Sequence, residues 1–381
     1  MQGVEQRDKT ISSDAALYYV ALSMVPSVGA VTARQLINYC GTAEAVFSDR
    51  SSLKSIPGIG PKIVQHLSTR HQWLARAEQE VEHCARQGIE IITLGSDRYP
   101  ERLRHIYDAP IVLFYKGTAS LDYAKVISVV GTRQATAYGR RVTEELITSL
   151  SHYDDLLIVS GLAYGIDINA HRAALKAGLP TVGVMASGLD IIYPTAHRAD
   201  ALEMMRQGGL LTESPLGTKP DGPRFPARNR IIAGLCDAAV VVEAAEKGGA
   251  LITAHLASDY DREVFAVPGS LYQKYARGCH RLIKEHTARL VTDSQDIVAM
   301  LNWDLPRSQT KQAHQYPNTV SDLNKEETAV ATLLDQQRAG MLIDEISWQS
   351  QIPVNQLAGI LLSLEFKQVV KALPGRKFRL R

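Results

Sequence analysis

The sequence predicts an α/β protein: a Rossmann-like, doubly wound parallel sheet, with a helical domain before it and a winged-helix domain after it. Three observations predict this. Between residues 121 and 300, near-continuous apolar runs of strand length alternate with helical patterns, as in a parallel sheet buried on both faces. Within residues 1–85 a hydrophobic-Pro-x-hydrophobic-Gly pattern occurs twice. Residues 322–381 follow a helix–turn–helix outline with a short two-stranded wing.

Residues 1–85 read as the helical domain. Val25-Pro26-Ser27-Val28-Gly29 recurs as Ile56-Pro57-Gly58-Ile59-Gly60, and Leu36 and Leu67 hold equivalent places in the helices that follow. The pattern resembles the helix-hairpin-helix of SAM-like domains. Its tight turn exposes backbone N–H groups at a helix N-terminus, where a phosphate can sit. The same hairpin also serves simply to pack a small helical domain, and the sequence leaves both readings open.

Residues 86–302 form the sheet domain, beginning with a connector. Short strands are expected at Ile89–Leu94 and Ile111–Tyr115, split by Tyr99-Pro100 and Ala109-Pro110. Further strands are expected at Val126–Val130, Leu156–Val159, Thr181–Met185, Leu210–Thr212, Ala239–Glu243 and Val264–Val267. Helices between them are expected at Arg140–Leu150, Ile168–Ala177, Arg198–Gln207, Ala227–Leu235 and Ala250–Tyr260. Such sheets bind ligands at the C-terminal ends of their strands. Residues 303–321 are polar, contain two prolines and lack periodicity, so a linker is expected there. In the winged-helix domain, Glu326–Gln337, Leu342–Trp348 and Val354–Leu364 read as helices. Phe366–Leu373 and Phe378–Leu380 read as the wing around Pro374-Gly375.

A net charge of only +2 means that any nucleic-acid site must be a local concentration of basic residues. The four cysteines form no CxxC pair, so neither a disulfide framework nor a metal site is expected, and a reducing compartment fits. The polar N-terminus has no apolar signal core, and no apolar run approaches the roughly 18 residues of a membrane span. A cytoplasmic protein without membrane contact is expected.

Four loops at strand ends carry the chemistry. The first holds Gly131, Thr132 and Arg133: glycine admits a phosphate, the next helix offers its dipole, and arginine adds charge. It is not GxGxxG and lacks a suitably placed acid, so no dinucleotide cofactor is expected. The second holds Ser160, Gly161 and Gly165, followed by Asp167 and His171. Asp167 reads as a helix cap or as part of a site, and His171 as core packing or as a functional group. The third, Lys219–Arg230, is the most basic, with Lys219, Arg224, Phe225, Arg228, Asn229 and Arg230. An aromatic among arginines suits single-stranded nucleic acid, where a base stacks while guanidinium groups hold phosphates. A solvated charged face is the bland reading. The fourth holds Lys247, Gly248 and Gly249 at the start of a helix.

The stretches SVVGTRQATAYG, VSGLAYGIDINAH, GLDIIYPTAH, FPARNRIIAGLCDAAVVVEA, GGALITAHLA and REVFAVPGS follow one another over residues 126–270. Together they resemble the DNA-processing protein A family, also called Smf. Weaker likeness extends to the YP…APIVLFYKG connector, the hairpins and the winged helix. The resemblance implies a homodimer that binds single-stranded DNA in natural transformation, protects the incoming strand and loads a RecA-type recombinase. Single-strand-binding protein stands as a further partner left open. Carried across, the grip falls to Gly131 and Arg133 and to Arg228, Asn229 and Arg230, with Lys219 and Lys247 extending it. One departure is Gly248-Gly249-Ala250-Leu251-Ile252-Thr253-Ala254, where Ser-Gly-Ser/Ala-x-x-Thr-Ala is expected. Close backbone approach survives there, but a serine hydroxyl is lost.

No catalytic residue is assigned. A nucleotide phosphoribohydrolase needs PGGxGTxxE, and AEKGGALITAHLA supplies neither PGG nor the glutamate. A double-strand-specific protein is the other rival. Against it, Pro353–Glu365, the helix that would enter a groove, carries no arginine or lysine. Ile231, Ile232, Ala233, Leu235, Ala238, Leu251, Ile252 and Leu256 are apolar enough for core or for a dimer interface, and periodicity does not separate the two.

Overall fold

β-branched and leucine-rich runs build the centre of the sheet. Lys125–Val130 (β3) and Leu156–Ser160 (β4) are almost wholly buried, and alternate side chains of β3 enter opposite layers. Val126 and Val130 join one apolar layer; Ile127 and Val129 join the other. The coordinates are a computed structural model that describes residues 13–48, 53, 56–303, 323–335, 340–367, 369–373 and 377–380. The chain divides into two units, Met1–Arg307 and Ser308–Arg381. The expected linker falls almost entirely outside the described residues.

The first unit opens with helices α1 (Ser13–Ser23), α2 (Ala30–Cys40), α3 (Ala43–Ser48), α4 (Pro61–Ser68) and α5 (Arg70–Arg86). The two hairpins stand before α2 and α4, with Ser27 and Gly58 in the left-handed region. They are bonded reciprocally: Gln35 Nε2 donates to the Pro57 carbonyl at 2.6 Å, and His66 Nδ1 donates to the Pro26 carbonyl at 3.0 Å. Gln35 and His66 lie at the same offset from their own prolines.

Then come β1 (Glu90–Thr93), α6 (Glu101–Arg104), β2 (Val112–Gly117), β3, α7 (Ala137–Leu150), β4, α8 (Ile166–Lys176), β5 (Thr181–Val184), α9 (Arg198–Gln207), β6 (Gly209–Thr212), α10 (Arg224–Leu235), β7 (Ala238–Val241), α11 (Gly249–Asp259), β8 (Glu263–Ala266), α12 (Arg277–Lys284), β9 (Arg289–Leu290) and α13 (Ser294–Leu301). The strand order is β1-β2-β6-β5-β4-β3-β7-β8-β9. From β6 to β9 all pairings are parallel, while β1 and β2 are antiparallel additions. The chain steps outward from β3 to β6, then returns to β7 on the other side of β3. That reversal makes the β3–β7 gap the topological switch point, where a doubly wound sheet opens a ligand crevice.

Helices α10 and α11 cover one face with Ile231, Ile232, Leu235 and Leu251, while α7, α8 and α13 cover the other. Six of the eight apolar residues left open between core and interface are therefore core. Ile231, Ile232, Ala233, Leu235, Ala238 and Leu251 are buried, Leu256 is partly buried, and Ile252 is exposed.

The second unit has helices α14 (Lys325–Asp335), α15 (Ile343–Ser350) and α16 (Val354–Phe366) and a sheet of β10 (Met341–Leu342), β12 (Lys377–Leu380) and β11 (Val370–Leu373), in that order. Phe366 ends a helix rather than opening the wing strand expected there. Glu327 accepts from the Asn324 backbone N–H at 2.9 Å, the Ser363 hydroxyl at 2.7 Å and Lys367 Nζ at 2.7 Å. The Lys367 contact leads in holding its carboxyl down to about 2.

Candidate nucleic-acid interface

At the switch point three segments are locked edge to edge. The Thr132 N–H donates to the Glu243 carbonyl at 2.7 Å, and the Ile166 N–H donates to the Thr132 carbonyl at 3.1 Å. Gly165 makes this possible: its φ is +81°, and a Cβ there would lie 2.1 Å from the Thr132 carbonyl oxygen. Such an approach is open only to glycine.

The helix after Arg133 does not offer its N-terminus to a ligand, which corrects the expectation. Buried Glu243 already occupies it, accepting from the Thr136 N–H at 2.9 Å and the Thr136 hydroxyl at 2.6 Å. A carboxylate at that position satisfies the positive end of the helix. The N-terminus of α11 differs. Gly248 caps it without a side-chain bond, and its first turn carries no acid.

Between these elements lies a cleft of about 810 Å³. Of the residues singled out in the sequence, Gly131, Thr132, Arg133, Phe225, Arg228, Asn229, Lys247, Gly248 and Gly249 line it, and so does Asp167. The Arg133 guanidinium stands 5.3 Å from the Phe225 ring centroid, a cation–π contact. Arg228 is buried; it donates to the Val184 carbonyl and to Asn229 Oδ1 at 3.3 Å. Asn229 in turn donates to the Gly249 carbonyl at 3.2 Å, tying α10 to the start of α11.

The electrostatics follow from burial. Desolvation pushes the Asp167 carboxyl up to about 6, and Arg228 partly offsets it. Burial likewise brings Arg228 down to about 10, with Asp167 opposing the shift and Arg133 adding to it. Asp167 is not the cap of its helix; Gly165 holds that position, and the carboxylate accepts from the Ala163 N–H at 3.4 Å. His171 is a packing residue. Its Nε2 donates to the Gly161 carbonyl at 2.6 Å, Nδ1 lies 2.7 Å from the Thr181 hydroxyl, and burial lowers it to about 4.

Other expected residues lie outside the cleft lining. The Ser160 hydroxyl is buried and donates to the Val129 carbonyl at 2.6 Å. Gly161 and Gly165 admit their neighbours rather than line the cleft, and Lys219 and Arg224 are exposed outside it. Arg230 points away: it donates to the Asp108 carbonyl at 2.9 Å and pairs with Glu213. The basic segment becomes helix at Arg224, and residues two apart on a helix point about 200° apart. Arg228 and Arg230 therefore cannot share one site.

Three contributors carried no assigned role in the sequence. Arg281 reaches the cleft from α12, donating to the Glu246 carbonyl at 3.1 Å. Tyr164 and Tyr193 flank a small adjoining pocket beside Arg133, with Tyr193 5.8 Å from Phe225 and Tyr164 4.8 Å from His197 between ring centroids. Their only signal was tyrosine within two of the resembling stretches. Among the described residues no grouping of histidine, cysteine and acidic side chains is arranged to hold a metal.

The family model described as DNA recombination-mediator protein A matches residues 90–302. The chain belongs to that family. A second model, for the DprA winged helix domain, matches residues 314–376. A DNA processing protein of Bacillus subtilis is 45% identical over 212 residues, 55% of this chain and 71% of the relative. The solved structure of DNA processing protein A from Streptococcus pneumoniae is 35% identical, with a TM-score of 0.58 over 74% of this chain and 96% of that one. A Helicobacter pylori DNA processing protein A, described for its single-stranded DNA binding mode, is 28% identical with a TM-score of 0.51, covering 56% of this chain and 95% of that one. The fold is thus the expected Rossmann-like α/β architecture with a winged-helix domain.

Proposed function

We propose that the cleft binds single-stranded DNA by its backbone and stacks its bases without reading their sequence. The observation that carries this is Arg133 over Phe225 in the same cleft as the start of α11, which no side chain caps. An arginine–aromatic pair beside open backbone N–H groups suits a phosphate and a base face together, and it presents no base-edge code. The single-stranded DNA binding of the Helicobacter pylori relative supports the same reading.

On this reading the chain works as a recombination mediator in the uptake of DNA, as a cytoplasmic homodimer that protects incoming strands and delivers them to a RecA-type recombinase. It acts by binding and not by catalysis. Fluorescence anisotropy with single strands and duplexes of matched length tests the core of the proposal. Arg133→Ala weakens single-strand binding at every sequence and lowers the salt slope by about 1, as loss of one phosphate contact does. Equal wild-type affinity for duplex and single strand would falsify it. For the delivery step, the readout is filament growth by the cognate recombinase on strands coated with single-strand-binding protein; no acceleration by the chain sinks that role.

A further inference from the structure

The sheet edge carries a second aromatic and basic segment, Gly269–Arg277, at the C-terminal end of β8. Leu271 and Tyr272 are 76% and 93% exposed, the latter the most exposed of the chain's large apolar side chains among the described residues. Lys274 Nζ lies 5.4 Å from the Tyr275 ring centroid, and Arg277 is exposed and pairs with Glu246 at 3.3 Å, an exposed ion pair that a phosphate can exchange into. Isolated exposed apolar side chains are commonplace. This segment is different because its flanks are anchored to residues that line the cleft or stand next to them.

The anchoring is extensive. Tyr275 gives its carbonyl to the Ala244 N–H at 2.7 Å, and the Gly278 N–H returns to the Ala244 carbonyl at 2.9 Å. Tyr138 hydroxyl donates to the Pro268 carbonyl at 2.7 Å, and His280 Nε2 donates to the Gly269 carbonyl at 2.9 Å. The Tyr275 hydroxyl bonds Gln134, next to Arg133, while Arg281 of the adjoining helix lines the cleft itself. The segment is therefore tied both to the first basic loop and to Ala244–Glu246. A turn held at both flanks loses less backbone entropy when a ring on it is covered, which suits a stacking surface.

We infer that this segment is a second stacking station for single-stranded DNA, with Tyr272 taking a base and Lys274 and Arg277 the adjoining phosphates. It rests on the reading of the cleft as a single-strand site and extends it. The strand then runs across the sheet edge from the Arg133–Phe225 pair past Arg281 to Tyr272. Two aromatic stations, with Arg281 between them, are tolerant of sequence, since every base has a face to stack.

The test uses the full chain, Tyr272→Ala and Tyr272→Phe, with dT oligonucleotides of increasing length in anisotropy. Tyr272→Ala leaves binding of strands that fill only the cleft unchanged and weakens longer strands by roughly tenfold, the size of one lost stack. Tyr272→Phe restores wild-type affinity. Long strands made of abasic nucleotides throughout bind wild type and Tyr272→Ala alike. A Tyr272→Ala protein that binds every length as wild type does, while Arg133→Ala still weakens all of them, overturns the second station and leaves the cleft reading intact. Failure of the wild type to bind single strands of any length overturns both.

Discussion

Replacing Asp167 with asparagine should make the first unit more stable at neutral pH. The carboxyl is buried among cleft residues, and desolvation lifts it from an ordinary 3.8 to about 6. A gap of that size corresponds to roughly 3 kcal/mol between its two protonation states. The sign follows from proton linkage. Because the folded value is raised, the favourable contribution is complete below about 4 and is lost as pH climbs through 6. At pH 7 the wild type therefore carries the full cost of a buried anion, while asparagine imitates the protonated form. His171 has the opposite slope over nearly the same window. Its folded value is lowered from 6.5 to about 4, so its contribution is present at neutral pH and lost as pH falls through that interval. In the wild type the two slopes largely cancel between pH 6 and 4; in Asp167→Asn the histidine slope stands alone. The assay is urea unfolding between pH 4 and 7, followed by Trp73 and Trp303 fluorescence in a Trp348→Phe background, which silences the tryptophan of the second unit. The expected result is a gain of about 3 kcal/mol at pH 7, shrinking to nothing near pH 4. No gain at pH 7, or a pH profile unchanged by the substitution, refutes the argument.

Further outcomes follow from other contacts. Arg230→Ala should cost about 2 kcal/mol in thermal unfolding, because Glu213 loses its partly buried partner, while the folded protein keeps its single-strand affinity. A large affinity loss without destabilisation would return Arg230 to the site. Glu327 should make the second unit acid-sensitive: its carboxyl is held down to about 2, so its stabilising effect is full above about 4.5 and disappears as pH falls toward 2. Glu327→Gln should flatten that acid limb in circular dichroism, and an unchanged limb counts against the Lys367 contact. A chain ending at Trp303 should stay folded and bind single strands; a folded truncation that no longer binds would place part of the site in the second unit.

The sheet was legible because its strands are buried on both faces, and near-continuous apolar runs such as Val126–Val130 and Leu156–Val159 satisfy that environment. Loop glycines were legible as glycines with a purpose but not in their role: Gly165 stands where no other residue fits because the Thr132 backbone packs against it, not because a ligand does. Helical phase was not. Four basic residues between Lys219 and Arg230 look alike in a string of letters, yet the start of α10 at Arg224 sends Arg228 into the cleft and Arg230 toward Glu213. Glu243 was invisible as a cap because the helix it serves begins more than a hundred residues earlier. Arg281 reaches the cleft from a short helix far along the chain, and the two tyrosines line the adjoining pocket from loops in which nothing but the tyrosine itself marks them.

The crossed hydrogen bonds of the two hairpins have a consequence for how the N-terminal segment can change. Gln35 serves the loop of the other copy, and His66 does the same in return. Each half of the duplication therefore holds the missing piece of its twin, like two hands clasped at the wrist. An inserted or deleted residue in one hairpin is felt first in the opposite one, where a donor is left reaching for a carbonyl that has moved. Both bonds are solvent-exposed, so a change of length in one hairpin is registered as a lost contact in the other and couples the two turns without forbidding the change.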